Sequence, residues 1–214
     1  MKINQNLTFY DETTYQGLPI QIEHGQIVKD YLDRTFGCFQ KATDQYKRVC
    51  MMRFDLHVPE NYYSSALLSN NLISKFLASL KSKIQHSQAR SRKEGHRVHG
   101  TEVRFFWCRE SSSFGRIHYH VVLLLNHDAY AFMGDFDLKS GNMYSRIHEA
   151  WASALGMYIM DILGLVHIPE NPVYQIRRDD AASFNSAFHR ASYLCKVESK
   201  EYGQGFHSFG SSRI

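Results

Sequence analysis

From Gly25 to about Tyr46 the apolar positions Ile27, Val28, Tyr31, Leu32, Phe36 and Phe39 recur every three to four residues, which predicts an amphipathic helix. The period then falls to two. Val49 to Val58 reads as a strand with Arg53, Asp55 and His57 on one face, closed by Pro59. Asn61 is the expected cap of a second helix, Tyr62 to about Arg90, whose stripe is Leu67, Leu68, Leu72, Phe76, Leu77, Leu80 and Ile84. Glu102 to Arg109, rich in aromatic and β-branched residues, is predicted to form a hairpin through the polar turn Ser111 to Gly115. The second arm contains the apolar run Val121 to Leu125. After an irregular stretch with Gly134, Asp135, Asp137 and Gly141 come a helix from about Tyr144 to Leu155, a strand Val173 to Arg177 set by Pro169 and Pro172, and a last helix. That helix is expected to run from Ala181 to Lys200.

This order, helix, β, α, β-hairpin, α, β, α, joins its two central strands by a tight turn, so the sheet must be largely antiparallel. An α+β fold follows, a ferredoxin-like or RRM-like sandwich with flanking helices. No repeat or low-complexity linker divides the chain. Residues 1–46 read as an N-terminal accessory segment with its helix and residues 47–214 as the main domain, together one compact unit.

Composition narrows the class without naming it. The chain has 214 residues, 43% hydrophobic and 14% aromatic, enough for a real core and unlike a disordered segment. Its four cysteines, Cys38, Cys50, Cys108 and Cys195, form no C-x-x-C pair, and no secretory pattern or membrane-length apolar run is present, so a cytoplasmic protein is expected. A net charge of +4 is mild. Its distribution is less so: between Lys75 and Arg104 eight basic residues meet only Glu94 and Glu102. Such a run is either a solvated helix end or a phosphate-binding surface.

The candidate chemistry starts at His118-Tyr119-His120. Residues two apart on a strand project from one face, so this segment presents two imidazoles side by side, as a metal-binding pair requires. A third ligand is expected. Glu110 ends the partner arm of the hairpin, and a register pairing even with even positions puts it on the same face as His118 and His120; Glu102, Asp55 and His99 are alternatives. Two histidines and a carboxylate leave the ion open, since zinc hydrolases and non-haem iron sites share that set. On the last helix, His189, Tyr193, Lys196 and Lys200 are spaced to lie along one face. A tyrosine flanked by cations is a better nucleophile, because positive charge favours the phenolate.

Taken together these segments resemble a known family. Arg109-Glu110, the serine turn and Gly115-Arg116-Ile117-His118-Tyr119-His120-Val121 look like the His-hydrophobic-His motif of the HUH endonucleases, with Ile117 where proline is frequent. Tyr193-Leu194-Cys195-Lys196 resembles the family's Tyr-x-x-Lys motif, Met52 to Leu56 its first-strand motif, and His207 to Arg213 the tail of inovirus-type phage and prophage replication initiators. The resemblance implies a rolling-circle replication initiator that nicks and joins single-stranded DNA at an origin. Tyr193 would be the nucleophile, Lys196 its assistant, and His118, His120 and Glu110 the ligands of Mg²⁺ or Mn²⁺. The position four before Tyr193 is His189, so a one-tyrosine enzyme is expected, with Tyr202 no second nucleophile. Without a P-loop, helicase and polymerase would come from the host. DNA is expected to lie across the sheet, with Lys81, Lys83, Arg90, Arg92 and Arg97 on its phosphates. The alternatives are a single-strand-type transposase, a non-catalytic nucleic-acid-binding domain on the same scaffold, and a metal-dependent hydrolase in which Tyr193 only packs.

Overall fold

The computed structural model describes residues 7–62, 67, 69–112 and 115–213. The chain begins with four two-residue strands, β1 (Phe9–Tyr10), β2 (Thr14–Tyr15), β3 (Leu18–Pro19) and β4 (Ile27–Val28), then α1 (Lys29–Gln45) and β5 (Arg48–His57). There follow α2 (Asn71–Lys93), the hairpin β6 (Arg104–Ser111) and β7 (Ile117–Asn126), and α3 (Met143–Leu155). Last come β8 (Val166–His167), β9 (Val173–Arg177), α4 (Ala181–Ser192) and β10 (Phe209–Ser211).

The central sheet has six strands in the order β10-β6-β7-β5, with β8 and β9 sharing the free edge of β5. Every pairing in it is antiparallel. Because β5 and β6 both oppose β7, they run parallel to each other across it. With α2 between them and α3 leading to β9, the core is the βαββαβ arrangement of the ferredoxin-like class.

Alternation along the strands builds two cores. Cys50, Met52, Phe54 and Leu56 of β5 and Tyr119, Val121, Leu123 and Leu125 of β7 face α2 and α3. Val49 and Met51 of β5, Phe106 and Cys108 of β6, and Val122 and Leu124 of β7 face α1 and α4, meeting Leu32, Phe39, Phe188 and Leu194. The sandwich thus has a third layer, and both sheet faces are covered. DNA does not have the whole sheet to lie across: the apolar stripes of α1 and α4 occupy the apolar rows of the face it would need.

Three helix boundaries differ from those read in the sequence. α1 begins at Lys29 because Ile27 and Val28 pair with β1. α2 starts at Asn71 with Asn70, not Asn61, at its N-cap, and continues to Lys93; positions 63–66 and Leu68 of the forecast helix, like Ser113 and Phe114 of the hairpin turn, fall outside the described residues. α4 stops at Ser192 rather than Lys200, giving way to a 3₁₀ turn at Tyr193–Cys195 and an extended Lys196. The stop is tertiary. Lys196 bridges Ile27, the Val197 amide donates to the Gln26 carbonyl at 2.8 Å, and the Gln21 amide donates to Ser192 Oγ at 2.9 Å. His189, Tyr193, Lys196 and Lys200 consequently do not share a helical face. Among the described residues, no helix is long and apolar enough to cross a membrane.

Candidate functional site

The α1/α4 face of the sheet turns polar over its last two rows. The β6–β7 register sets Glu110 opposite His118 and Cys108 opposite His120, while the β5–β7 register sets Asp55 opposite His120 and His57 opposite His118. Glu110, His118 and His120 therefore share one face, and one ligand atom from each lies within 4.8 Å of the others. Oε2 of Glu110 stands 3.5 Å from His120 Nε2 and 3.9 Å from His118 Nε2.

The surroundings aim these atoms. His120 Nδ1 is hydrogen-bonded to Asp55 Oδ1 at 2.6 Å, which leaves Nε2 turned toward Glu110, a carboxylate–histidine relation common behind metal ligands. The other oxygen of Glu110, Oε1, accepts from Lys200 Nζ at 3.0 Å. Lys200 is 0% exposed and Glu110 3%, so this pair sits out of water and fixes the carboxylate with Oε2 on the side of the histidines. Cys108 Sγ lies 3.5 Å from Oε1, but burial pushes its thiol up to about 12, which keeps it neutral and outside any ligand set.

Protonation follows the same contacts. Burial alone would raise the Glu110 carboxyl, yet the hydrogen bond with His120 and the charges of Lys200 and Lys196 hold it well below the carboxylate range. Asp55 behaves alike: burial is outweighed by His120 and Arg53. Burial works to lower His120, and Asp55 and Glu110 overcome it and raise the imidazole. His118 is lowered, by burial first and by His120 next. Lys196, Lys200 and Arg53 already balance the two carboxylates, so a metal cation would bind here by taking the place of the His120 proton. Two nitrogens and one oxygen fit a divalent ion that accepts mixed ligands.

Tyr193 approaches from α4. Its ring lies edge-on to His120 at 6.0 Å between centroids and to His24 at 5.1 Å, with the Arg53 guanidinium 5.1 Å from its centre. Lys196 Nζ donates to Tyr193 Oη at 2.8 Å and reaches Glu110 Oε2 at 3.7 Å. The 3₁₀ turn replaces the helical spacing assumed from the sequence and still joins the two side chains.

Of the alternative ligands, Asp55 stands one shell out, behind His120, and Glu102 and His99 belong to the loop before β6, where Glu102 N donates to Tyr46 Oη and the His99 carbonyl accepts from Gln88. The basic residues lie apart from the triad. α2 covers the opposite sheet face, with its first turn near β6 and its last near the far end of β7. Lys81 sits over Phe105, Lys83 pairs with Glu149 at 2.8 Å and Arg90 with Glu94 at 3.2 Å. Arg92 lies in the last turn of α2, and Arg97 lines a shallow cleft with Tyr130. Tyr202 is partly buried in the α1/α4 core, where burial and then Tyr31 raise its phenol far above the usual range. Sequence reading missed His57, His167 and Lys200 as neighbours of the triad: His57 stacks on His118 at 5.5 Å, and His167 Nδ1 reaches Asp55 Oδ2 at 3.4 Å. His57 was foreshadowed by its alternation with Asp55; His167 and Lys200 carried no local signal.

No solved structure matches the chain. It is 34% identical over 210 residues to the uncharacterized protein YagK of Escherichia coli (strain K12), covering 94% of this chain and 98% of that one. It is 31% identical over 202 residues to the uncharacterized protein YfjJ of the same organism, covering 89% and 97%. The model of the YagK/YfjJ C-terminal domain matches residues 10–212, a span that takes in the whole sheet, the Glu110–His118–His120 triad and Tyr193. The chain belongs to the YagK/YfjJ C-terminal domain family.

Proposed function

We propose that this protein is a single-strand DNA nickase and strand transferase of the HUH type, acting as a rolling-circle replication initiator. One observation carries the reading: a single ammonium, Lys196 Nζ, contacts both the Tyr193 hydroxyl and the Glu110 carboxylate, so a nucleophile and a cation-binding triad form one centre. His118, His120 and Glu110 would hold Mg²⁺ or Mn²⁺, and the ion would supply Lewis acidity at the scissile phosphate.

The chain's own groups do the rest. Tyr193 Oη attacks phosphorus, the Oη–P bond forms and the bond to the 3′ oxygen breaks, leaving a 5′-phosphotyrosine and a free 3′-hydroxyl. The proton lost by the phenol is balanced by the one gained by the departing oxygen. Lys196 offsets the negative charge that grows on Oη, Asp55 keeps His120 in one orientation, and Lys200 prevents Glu110 from turning. The reverse attack reseals the strand, and a host polymerase and helicase would extend and unwind it.

The test is a covalent adduct. Protein is incubated with Mn²⁺ and labelled single strands from the DNA flanking its own gene, then run on a denaturing gel. Wild type should give a shifted band that Tyr193→Phe and His120→Ala abolish. A band that persists in Tyr193→Phe would displace the nucleophile. Cleavage with no adduct would favour a hydrolase, and the absence of both would refute the nickase.

A further inference from the structure

Arg53 is a buried cation whose charge the metal triad does not use. It lies on the same face of β5 as Asp55, one row deeper, and is 5% exposed. Its Nε is buried without a hydrogen-bond partner among the described residues, and its ion pair with Asp55 is long, at 4.0 Å. Asp55 is meanwhile engaged with His120 and His167. Arg190, on α4 three residues before Tyr193, repeats the pattern: among the described residues its Nε is also buried without a partner, and Nη2 reaches the Glu170 carbonyl, at 3.4 Å. One turn, Glu170 to Pro172, joins the two residues: Arg190 reaches it through its side chain and Arg53 through its main-chain amide, which donates to the Pro172 carbonyl at 2.8 Å.

Two buried guanidinium Nε donors left idle are costly, since each buried N–H without a partner loses its hydration. Like charge is also felt at Arg53: burial lowers its hold on the proton, Asp55 opposes that, and Arg190 adds to the lowering. A core position that needed only packing would be filled better by a methionine or leucine. The missing element is an anion, and a guanidinium fork matches the paired oxygens of a phosphate diester. The Arg53 guanidinium is 5.1 Å from the ring of Tyr193, on the β8–β9 side of the sheet, whereas Glu110 lies toward β6.

We propose that Arg53 and Arg190 form a clamp for a backbone phosphate of single-stranded DNA, next to the phosphate that Tyr193 attacks. The choice of strand rests on the nickase reading; the presence of an anion site does not. The clamp would fix the register of the strand in the site without reading its bases, as phosphate contacts do. It also places the strand on the β5 side of the site rather than over the basic end of α2.

Binding without chemistry tests it. In a Tyr193→Phe background with EDTA, where nicking cannot occur, a labelled origin-derived single strand is titrated at several salt concentrations. Arg53→Gln and Arg190→Gln should each weaken binding by about 10- to 100-fold. Each should also flatten the salt dependence by about 0.7, the share of one phosphate on a single strand. The double variant should lose less than the two singles combined, because one phosphate is shared. The second readout is thermal: Arg53→Gln should leave Tm unchanged or higher without DNA, since it relieves a buried charge whose ion pair is long, whereas a structural arginine would lower it. Arg190, half-buried, provides a variant that folds in either case. Unchanged affinity and salt slope in Arg190→Gln, or a fall in Tm in Arg53→Gln, would overturn the clamp. So would inorganic phosphate stabilising wild type as well as the strand does, which would assign the arginines to a small free phosphate. Clamp binding that stands while the adduct assay fails would remove the nickase and keep the site.

Discussion

The two faces of the sheet are made by alternate residues of the same strands, yet they have different tasks. Toward α2 and α3, β5 and β7 present an unbroken apolar column that ends on Trp151, itself edge-on to Phe76 and Tyr119. Toward α1 and α4 the column is apolar for only half its length and then becomes Arg53, Asp55, His57, His118 and His120. Apart from Arg53, whose Nε is left without a partner, the polar rows tolerate burial because they contact one another, and because the opposite face supplies the stability they do not. One hydrogen bond ties the two: Trp151 Nε1 donates to the His57 carbonyl at 3.0 Å, so the apolar side anchors the backbone beneath the imidazoles.

The contrast can be broken most severely from the apolar side. Trp151→Ala should cost about 4 kcal/mol in urea unfolding, through the cavity and the orphaned carbonyl, while His118→Ala should cost less than about 1 kcal/mol. Comparable losses would mean that the polar rows are structural after all. A smaller effect, about 3 kcal/mol, is expected from Glu110→Gln, which strands the Lys200 ammonium in the core. Adding Lys200→Met should restore most of that stability without restoring metal binding; a double variant as weak as the single would show that Lys200 has other support.

The smallest effect is also the most diagnostic. Mn²⁺ at ten times its Kd should stabilise the fold by about 1.4 kcal/mol, read as a Tm shift. The shift should be larger at pH 7.5 than at pH 5.5, because the raised His120 keeps its proton at the lower pH and resists the cation. Without metal the signs differ by group. Glu110 and Asp55, both depressed, stabilise above the ordinary carboxylate value of about 4.3 and lose that contribution on acidification. His118 and His57, also depressed, lose theirs as pH falls below about 6.5. His120, raised, stabilises fully below about 6.5 and loses this as pH climbs through its folded value. A pH-independent Mn²⁺ shift would place the ion away from His120.

How much of this was legible in the sequence depends on the range of the contacts. Period-two alternation set the face shared by His118 and His120, and the even-to-even register across the hairpin turn put Glu110 beside them, because both are local geometry. The five-residue strand Val173–Arg177 was read to the residue, bounded by its prolines. The last helix was overextended because Ser192 to Lys200 contains neither glycine nor proline. What ends it is the chain near Gln26, about 170 residues earlier in sequence, and no periodicity records that. Lys200 was chosen as a helical neighbour of Tyr193 and arrives instead as the partner of Glu110. Asp55 was considered as a ligand, but its place behind His120 depends on a β5–β7 register that only the fold supplies.

The bridge between Ile27 and Lys196 has a consequence in time. A ribosome makes the segment at 21–27 early and the segment at 189–200 late, and each positions the other. When His120 has emerged the triad can assemble, but neither Tyr193 nor the lysines that flank Glu110 yet exist. A prematurely terminated chain would thus lack the proposed nucleophile, and a fragment ending before Lys200 would leave Glu110 without its buried counter-charge.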